Sequence, residues 1–336
     1  GNCDLCFLKG RGAKEAIAEL ESILDRIPTQ TRRTQEMEEF QQFSTPPHYA
    51  FAAAWLAAAD KNDTILEPSA GTGSLIATFH PLMATPTSPK AIFVNEISER
   101  RAEYVMALNP TQVFTEDAEQ LDNILPDDVK PTVIVMNPPF SRAGDRFGNK
   151  KITATGSRHI EAALARLEPG GRLVSIVGQG MTMGAPSFSD FWAKVNSKYT
   201  VLANVEVSRD VYRKYGTSFG TRVIVIDKIK SESYNVPLTV TVGSIAELLE
   251  KLEGVRDARR KGVQTAGEGK PATDQPAGPQ VAPGGKAGGR PEDDVRQPTG
   301  HVGTGKRPTG GRPERPGSGE GQGPDIPVGG PPAGEP

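Results

Sequence analysis

The chain has 336 residues, 36% hydrophobic and 24% charged, with a formal net charge of −2. From about residue 254 onward it contains no Leu, Phe, Tyr, Trp, Met or Cys, and Gly, Pro, Ala and charged residues dominate. Such a composition cannot bury enough apolar surface to offset the entropy of ordering, which excludes a packed domain there. We expect residues 254–336 to form a disordered tail or linker.

The rest of the chain is slightly acidic. The tail contains 12 basic and 10 acidic residues, which leaves 27 basic and 31 acidic residues before it. A broad nucleic-acid-binding surface is usually more basic, so any such contact is expected to be local or supplied by a partner. No apolar run approaches the roughly 18 residues of a membrane span, and no charged-then-apolar leader opens the chain. We therefore expect a cytoplasmic protein without membrane contact.

The first predicted element is an amphipathic helix that begins near residue 13 and ends before Pro28. Its apolar positions recur at helical spacing: Ile17, Leu20, Leu24 and Ile27. We assign residues 1–39, which include this helix, to an N-terminal segment and interpret it as a remnant of an upstream domain. An Ala-rich stretch over residues 49–59 predicts a second, buried helix.

Short apolar runs then alternate with helical stretches, which is typical of a parallel sheet with helices on both faces. Seven strands are predicted, at residues 64–66, 91–94, 112–114, 132–136, 172–177, 201–207 and 221–227. The last two are joined by a short polar loop and are expected to form an antiparallel hairpin at one edge. A final helix is predicted over residues 245–252. The pattern predicts an α/β fold with a doubly wound, mostly parallel seven-stranded sheet in a domain of residues 40–253.

The first strand leads directly into a glycine-rich turn, Glu67-Pro-Ser-Ala-Gly-Thr-Gly-Ser74. Gly71 and Gly73 allow the backbone to turn tightly and to approach a ligand at the carboxyl end of the strand, where open α/β sheets bind their ligands. A Gly-x-Gly pair alone is equally compatible with an ordinary strand-to-helix turn.

Acidic residues at the ends of the next two strands favour a nucleoside site. Glu96 ends the second strand, where its carboxylate can accept hydrogen bonds from both ribose hydroxyls. Asp117 follows the third strand, where it can accept from an adenine amino group. No Gly-x-x-x-x-Gly-Lys-Ser/Thr phosphate loop occurs, and Glu67 would repel a pyrophosphate.

The expected ligand is therefore a nucleoside without phosphates, and S-adenosylmethionine meets this description. The residues predicted to bind it at these strand ends are Glu67, Ser69, Ala70, Gly71, Gly73, Glu96, Asp117 and Ala118.

The fourth strand ends in Asn137-Pro138-Pro139-Phe140, at the same edge of the predicted sheet. Two successive prolines fix the backbone and remove two donors, so nearby carbonyls are available as acceptors. The side-chain oxygen of Asn137 and the Pro138 carbonyl can converge on one NH2 group, and Phe140 can stack on the ring that bears it. Two such acceptors localise the amine lone pair toward a methyl donor, without a metal. We predict amine methylation; the alternative is a rigid turn after a buried strand.

With these motifs the chain resembles the adenine-N6 DNA methyltransferases in which the cofactor motifs precede the catalytic motif. The likeness spans roughly residues 40–227 and includes Gln-Phe-Ser-Thr-Pro-Pro at positions 42–47 and Gly-Thr-Ser-Phe-Gly-Thr-Arg at positions 216–222. The modification subunits of type I restriction systems and the methylase portions of phage or plasmid antirestriction fusions are similar forms.

The resemblance implies methyl transfer from S-adenosylmethionine to adenine in DNA, with the target base flipped out of the duplex. It places Phe43, Thr45 and Pro46 over the methionine part of the cofactor, and it implies an aromatic residue against the extruded base. The predicted substrate contacts are Arg142 and Arg146, in a basic loop at residues 141–151, and the aromatic candidates Tyr212, Tyr215 and Phe219. Two alternatives stay open: a core position for each aromatic residue, and a solvated, flexible loop without substrate contacts.

Members of this family normally carry a target-recognition domain after the catalytic domain, whereas here the predicted tail begins soon after Leu252. We therefore expect DNA as a partner, with specificity that is weak, absent or supplied by a separate specificity subunit or a fused helicase or recognition domain. Two alternatives stay open: a methyltransferase acting on RNA or on a protein glutamine, and a catalytically inactive cofactor-binding module in a larger fusion.

The first ten residues do not belong to this pattern. They resemble a segment near the end of phosphoadenosine-phosphosulfate reductase-like proteins, which favours a remnant of an upstream fused domain. Cys3 and Cys6 form a Cys-x-x-Cys pair, but no second pair or nearby His completes a four-ligand zinc site, and we expect no metal. Because the chain begins with Gly1 rather than Met, both a fragment and a complete chain stay open.

Overall fold

The computed structural model describes residues 12–26, 44–79, 89–139, 146–147, 150–151, 155–215, 220–230 and 235–267. Its strands are β1 (Thr64–Glu67), β2 (Ala91–Asn95), β3 (Gln112–Phe114), β4 (Val133–Met136), β5 (Arg146–Phe147), β6 (Lys150–Lys151), β7 (Arg172–Gly178), β8 (Thr200–Val207), β9 (Thr221–Asp227) and β10 (Thr241–Val242). Its α-helices are α1 (Ala13–Arg26), α2 (Pro47–Ala57), α3 (Ser74–Ala77), α4 (Glu99–Met106), α5 (Leu121–Ile124), α6 (Thr155–Arg166), α7 (Ser189–Lys198) and α8 (Ile245–Gly267).

The main sheet has the strand order β10-β8-β9-β7-β4-β1-β2-β3. The run from β3 to β7 is parallel, and β9 pairs antiparallel with both β7 and β8. The predicted mostly parallel, doubly wound α/β sheet is confirmed. The predicted number of seven strands is wrong, because the two-residue strand β10 adds beside β8 as an eighth strand at the edge.

Helices cover both faces of the sheet, as alternation along the strands requires. In β1, Ile65 faces a core shared with α1, α2 and α8, whereas Leu66 faces a second core shared with α6 and α7. Because both faces are buried, the central strands are nearly continuously apolar, and all four residues of β4 are buried.

Helix α2 is buried because it is apolar around most of its circumference. It begins at Pro47, whose fixed φ and missing N–H suit the first helical position, and it ends where Ala58 turns left-handed at φ 49°. Its buried side chains include Tyr49 and Leu56. The Ala-rich helix predicted here is confirmed, with a start two residues earlier.

Helix α8 extends well beyond the predicted end at Leu252, and that prediction is wrong. Arg256 lies 4.5 Å from the ring centroid of Trp55 and donates to its carbonyl oxygen at 3.1 Å. Arg259 forms an ion pair with Asp63 at 2.6 Å. The predicted domain boundary at residue 253 thus falls inside a packed helix, and the predicted tail from residue 268 onward lies outside the described residues.

A buried arginine joins the elements at the amino-terminal edge of the parallel strands. Arg172, the first residue of β7, donates to both carboxylate oxygens of Asp227 at 2.7 and 2.9 Å. It also donates to the carbonyls of Leu56 in α2 and Val255 in α8, at 3.2 and 3.0 Å. This edge is thereby fixed, and the opposite edge contains the strand ends of the candidate site. No helix in the described ranges is long and apolar enough to cross a bilayer.

Candidate functional site

The glycine-rich turn after β1 has backbone angles that favour glycine. Gly71 and Gly73 have φ values of +59° and +81°. A Cβ on Gly73 would lie 2.6 Å from Cδ1 of Leu108. The turn is closed by a bond from the Gly73 N–H to the Ala70 carbonyl at 2.8 Å, and the Ala70 N–H donates to the Asn95 carbonyl at 3.0 Å. The turn is therefore fixed against the end of β2.

The Glu96 carboxylate stabilises this turn by hydrogen bonds to its backbone and to the segment that follows β2. Its Oε2 accepts the Gly71 N–H at 2.6 Å, and its Oε1 accepts the Ser98 N–H at 3.0 Å. Its own N–H donates to the Phe114 carbonyl at 3.0 Å, and the residue is 5% exposed. The predicted nucleoside acid thus lies beside the glycine turn and supports it directly.

Asn95 is a residue of this edge that sequence reasoning missed. Its Nδ2 donates to the carbonyls of Pro68 and Glu116, both at 2.9 Å, and its Oδ1 accepts the Glu116 N–H at 2.9 Å. One buried carboxamide therefore links the segments that follow β1, β2 and β3. In the sequence, only its position directly before Glu96 indicates a role for Asn95, because its three contacts join segments that are distant along the chain.

Asp117 caps the short 3-10 helix Ala118–Gln120, where its Oδ1 accepts the Glu119 N–H at 3.0 Å. Ala118 is buried at 7% exposure. The structure thus brings Asp117 and Ala118 to the same sheet edge as Glu96, since β2 and β3 are parallel neighbours.

Glu67 is the most unusual group of the site. It is 1% exposed, and its Oε2 is buried without a hydrogen-bond partner among the described residues. Burial and the nearby charge of Glu96 raise the pKa of Glu67 well above its usual range, while a backbone hydrogen bond from Ile76 opposes the rise. The Ser69 Oγ is likewise buried without a partner in this part of the chain. Such orphaned polar atoms are expected where a ligand binds.

The segment before α2 joins the glycine turn to the Asn-Pro-Pro motif. Ser44 Oγ lies 3.1 Å from Thr72 Oγ1 in the turn. Thr45 Oγ1 accepts a hydrogen bond from Asn137 Nδ2 at 2.9 Å. Pro46 is the N-cap residue of α2. The structure thus brings Thr45 and Pro46 to the predicted site, whereas Phe43 lies outside the described residues.

Asn137 follows β4, and the described residues hold its carboxamide on one side only. Nδ2 donates to Thr45 Oγ1 and lies 3.4 Å from Tyr212 Oη. Oδ1 is buried and accepts no hydrogen bond within the described ranges. Pro138 is buried and Pro139 partly buried, while Phe140 lies outside the described residues. A free acceptor therefore occurs where the sequence predicts the amine.

The predicted substrate contacts are described only in part. Tyr212 is 1% exposed, and its ring meets that of Tyr49 edge-on at 5.8 Å, inside the fold. Arg142 and Phe219 lie outside the described residues, as do the side chains of Arg146 and Tyr215. These four stay predictions. The Cys3–Cys6 pair also lies outside, and the described ranges contain no group of three potential metal ligands.

A polar network that sequence reasoning missed lies at the same edge of the sheet, beside the end of β7. Arg222 donates to Glu206 Oε2 at 3.1 Å and to the Asn204 carbonyl at 3.2 Å. Gln179 donates to the other oxygen of Glu206 and accepts from Arg209 at 3.1 Å. The network pairs charges between β8 and β9 and so fixes the strands beside the site.

Comparison with solved structures identifies the fold. The chain is similar to a Listeria monocytogenes protein provisionally assigned to the class I S-adenosylmethionine-dependent methyltransferases, with a TM-score of 0.52 and 14% identity over 73% of this chain and 78% of that one. The chain therefore has the Rossmann-like methyltransferase fold. No protein-family model and no curated protein matches it.

Two further solved structures are similar, with lower TM-scores. One is a modification subunit of a provisionally assigned type I restriction enzyme from Vibrio vulnificus, with a TM-score of 0.48 and 15% identity over 74% of this chain and 59% of that one. The other is a protein provisionally assigned as an RNA methyltransferase from Pyrococcus horikoshii, with a TM-score of 0.43 and 16% identity over 65% of this chain and 98% of that one. This chain thus spans less than two thirds of the modification subunit.

Proposed function

We propose that this protein transfers a methyl group from S-adenosylmethionine to the exocyclic amine of adenine in DNA. The proposal rests mainly on the hydrogen bonding of the Asn137 carboxamide. Its nitrogen donates to the hydroxyls of Thr45 and Tyr212, while its oxygen is buried and accepts no hydrogen bond within the described residues. A buried acceptor without a donor costs free energy, so the site is built for a ligand that donates.

The cofactor residues fit a cationic nucleoside. Glu67 has a buried carboxyl oxygen with no donor in the described ranges, which suits a positively charged ligand and disfavours a phosphate. Glu96 and Asp117 follow adjacent strands and are proposed to bind the ribose and the adenine amine. When bound, S-adenosylmethionine supplies a methyl group on a positively charged sulfur.

The protein's own contribution is to orient the acceptor amine. Asn137 Oδ1 and the Pro138 carbonyl accept its two hydrogens, which draws the nitrogen lone pair out of conjugation with the ring. Phe140 is proposed to stack on that ring. The Asn137 carboxamide is neutral and does not remove a proton, so its effect is positional and electrostatic.

The choice of adenine in DNA rests on the resemblance, above all on the Thr-Pro-Pro segment whose Thr45 contacts Asn137. The core is acidic, with 31 acidic against 27 basic residues before residue 254. We therefore propose that DNA is bound with help from a separate specificity subunit or a fused helicase or recognition domain.

The test is incubation with labelled S-adenosylmethionine and separate pools of unmethylated DNA, ribosomal RNA and release factor. Label in DNA as N6-methyladenine is expected, and Asn137→Ala should abolish it. Asn123→Ala, which changes an exposed asparagine in α5, is the matched control and should retain activity. Label only in RNA or protein would replace the proposed substrate. Cofactor binding by calorimetry without transfer to any pool would indicate an inactive binding module.

A further inference from the structure

The Asn137 carboxamide has two N–H hydrogens, and two buried hydroxyl oxygens lie within reach of its nitrogen. Thr45 Oγ1 is 2.9 Å away and Tyr212 Oη is 3.4 Å away. Thr45 comes from the segment before α2, and Tyr212 comes from the 3-10 helix Arg209–Tyr215 after β8. Two elements distant in sequence thus converge on one side of a single amide group.

Both hydroxyls are buried in rigid surroundings. Thr45 is 6% exposed and is followed by Pro46, the N-cap residue of the buried helix α2. Tyr212 is 1% exposed and meets the Tyr49 ring edge-on at 5.8 Å. The acceptors therefore have little freedom to follow the amide if it rotates.

We infer that Thr45 and Tyr212 are positioning residues, which occupy both hydrogens of the Asn137 amide and thereby present Oδ1 to the acceptor amine. This role differs from those that the resemblance implies, namely a contact of Thr45 with the cofactor and a contact of Tyr212 with the base. A 1%-exposed Tyr212 has no open ring face for a base, whereas its hydroxyl reaches Asn137.

The inference rests on the proposed function for its catalytic consequence, and the difference in role predicts a distinct kinetic signature. Loss of one neutral hydrogen bond frees the amide, so Thr45→Ala and Tyr212→Phe should each lower kcat about five- to tenfold. KM for S-adenosylmethionine and for DNA should stay within about twofold, because no ligand contact is removed. A rise in KM for the cofactor in Thr45→Ala, or for DNA in Tyr212→Phe, with kcat unchanged would overturn the inference.

Matched variants separate positioning from general damage to the fold. Thr45→Ser retains the hydroxyl and should restore kcat. Tyr49→Phe removes the hydroxyl of the other ring in the same aromatic pair, which contacts Thr221 and not Asn137, and should leave kcat unchanged. In an Asn137→Ala background, Thr45→Ala should have no further effect on any residual rate. Independent, additive losses would contradict a role that acts through Asn137.

A second measurement needs no methyl acceptor. Exchange of the Asn137 side-chain amide protons, assigned by their loss in Asn137→Ala, can be followed by NMR in the full chain. Exchange should be about tenfold faster in Thr45→Ala and in Tyr212→Phe than in the wild type and Tyr49→Phe. Equal rates in all four proteins would overturn the inference. If no acceptor pool is methylated, the proposed function fails, and these exchange rates alone decide whether the two hydroxyls position the amide.

Discussion

Glu67 and Glu96 lie at the ends of the adjacent parallel strands β1 and β2, and the charge of Glu96 adds to burial in raising the pKa of Glu67. The two acids differ in their partners. Glu96 accepts two backbone N–H groups, whereas one oxygen of Glu67 has no donor among the described residues. A neutral Glu67 suits the free protein, and a charged one suits a cationic ligand.

Glu67→Gln should therefore stabilise the free protein and weaken cofactor binding. A raised folded-state pKa contributes stability that is complete below the unfolded-state value and is lost as the pH rises through the folded value. Gln stays neutral, so it should unfold with a free energy about 1 kcal/mol higher than wild type at pH 8, with a smaller difference at pH 5. Urea unfolding at both pH values measures this difference.

Affinity of Glu67→Gln for S-adenosylmethionine should fall about tenfold or more by calorimetry, since a charge-assisted contact is lost. Glu103→Gln, at an exposed position of α4, is the control and should change neither quantity. A Gln variant that binds the cofactor as tightly as wild type would show that the charge of Glu67 is not used.

Gly73→Ala should lower the free energy of unfolding by more than the usual cost of placing an alanine in a left-handed backbone conformation. Gly73 and Gly170 have similar φ values of +81° and +80°, but the new Cβ would lie 2.6 Å from Leu108 in the first case and in open space in the second. We expect a loss of about 3 kcal/mol for Gly73→Ala and about 1 kcal/mol for Gly170→Ala in urea unfolding. Equal losses would mean that Leu108 moves aside.

Arg259→Ala should lower the free energy of unfolding by about 3 to 5 kcal/mol at pH 7, because it leaves the buried Asp63 without its cation. Both residues are at most 7% exposed. Burial alone would raise the pKa of Asp63, but Arg259, together with hydrogen bonds from Thr132 and the Asp60 backbone, more than offsets it and the pKa is lowered. The stability contributed by the pair is thus present above the unfolded-state pKa and lost as the pH falls through the folded one. Lys251→Ala, at an exposed position of α8, should cost under about 0.5 kcal/mol.

His48 should make the protein sensitive to mild acid. Burial lowers the pKa of His48 to about 4, against an opposing effect of Asp25. Because the unfolded state takes up this proton first, stability should fall by about 2 to 3 kcal/mol as the pH drops from 6.5 toward 4. His48→Gln cannot titrate, so its unfolding free energy should fall less over this range. Parallel curves for the two proteins would exclude His48 as the cause.

The sequence predicts the positions of the central strands along the chain well, because each of these strands is a short, nearly continuous apolar run. It therefore also predicts that Glu67, Glu96, Asp117 and Asn137 follow parallel strands and meet at one edge. The edge strand β10 has only Thr241 and Val242 and produces no pattern of its own. Its pairing with β8 is a consequence of the tertiary fold.

The end of α8 was unpredictable for a different reason. Beyond Leu252 the helix has few apolar side chains. It is stabilised there by the cation–π contact of Arg256 with Trp55 and by the ion pair of Arg259 with Asp63. Ion pairs and cation–π contacts between distant segments leave no periodic signal. The same holds for Asn95 and for the contacts of Thr45 and Tyr212 with Asn137, which depend on the spatial meeting of separate loops.

The bonds of Arg172 also have a consequence for synthesis. Its guanidinium donates to Asp227 and Val255, which follow it by 55 and 83 residues. At about 5 to 20 residues per second, Val255 is made roughly 4 to 17 seconds after Arg172. Asp227 is made earlier, roughly 3 to 11 seconds after Arg172, and until then the nascent chain contains a cation whose final place is fully buried, without the carboxylate that makes burial tolerable. Early collapse of the sheet around Arg172 is therefore disfavoured, and we expect this edge to close only after β9, with Asp227, has been synthesised.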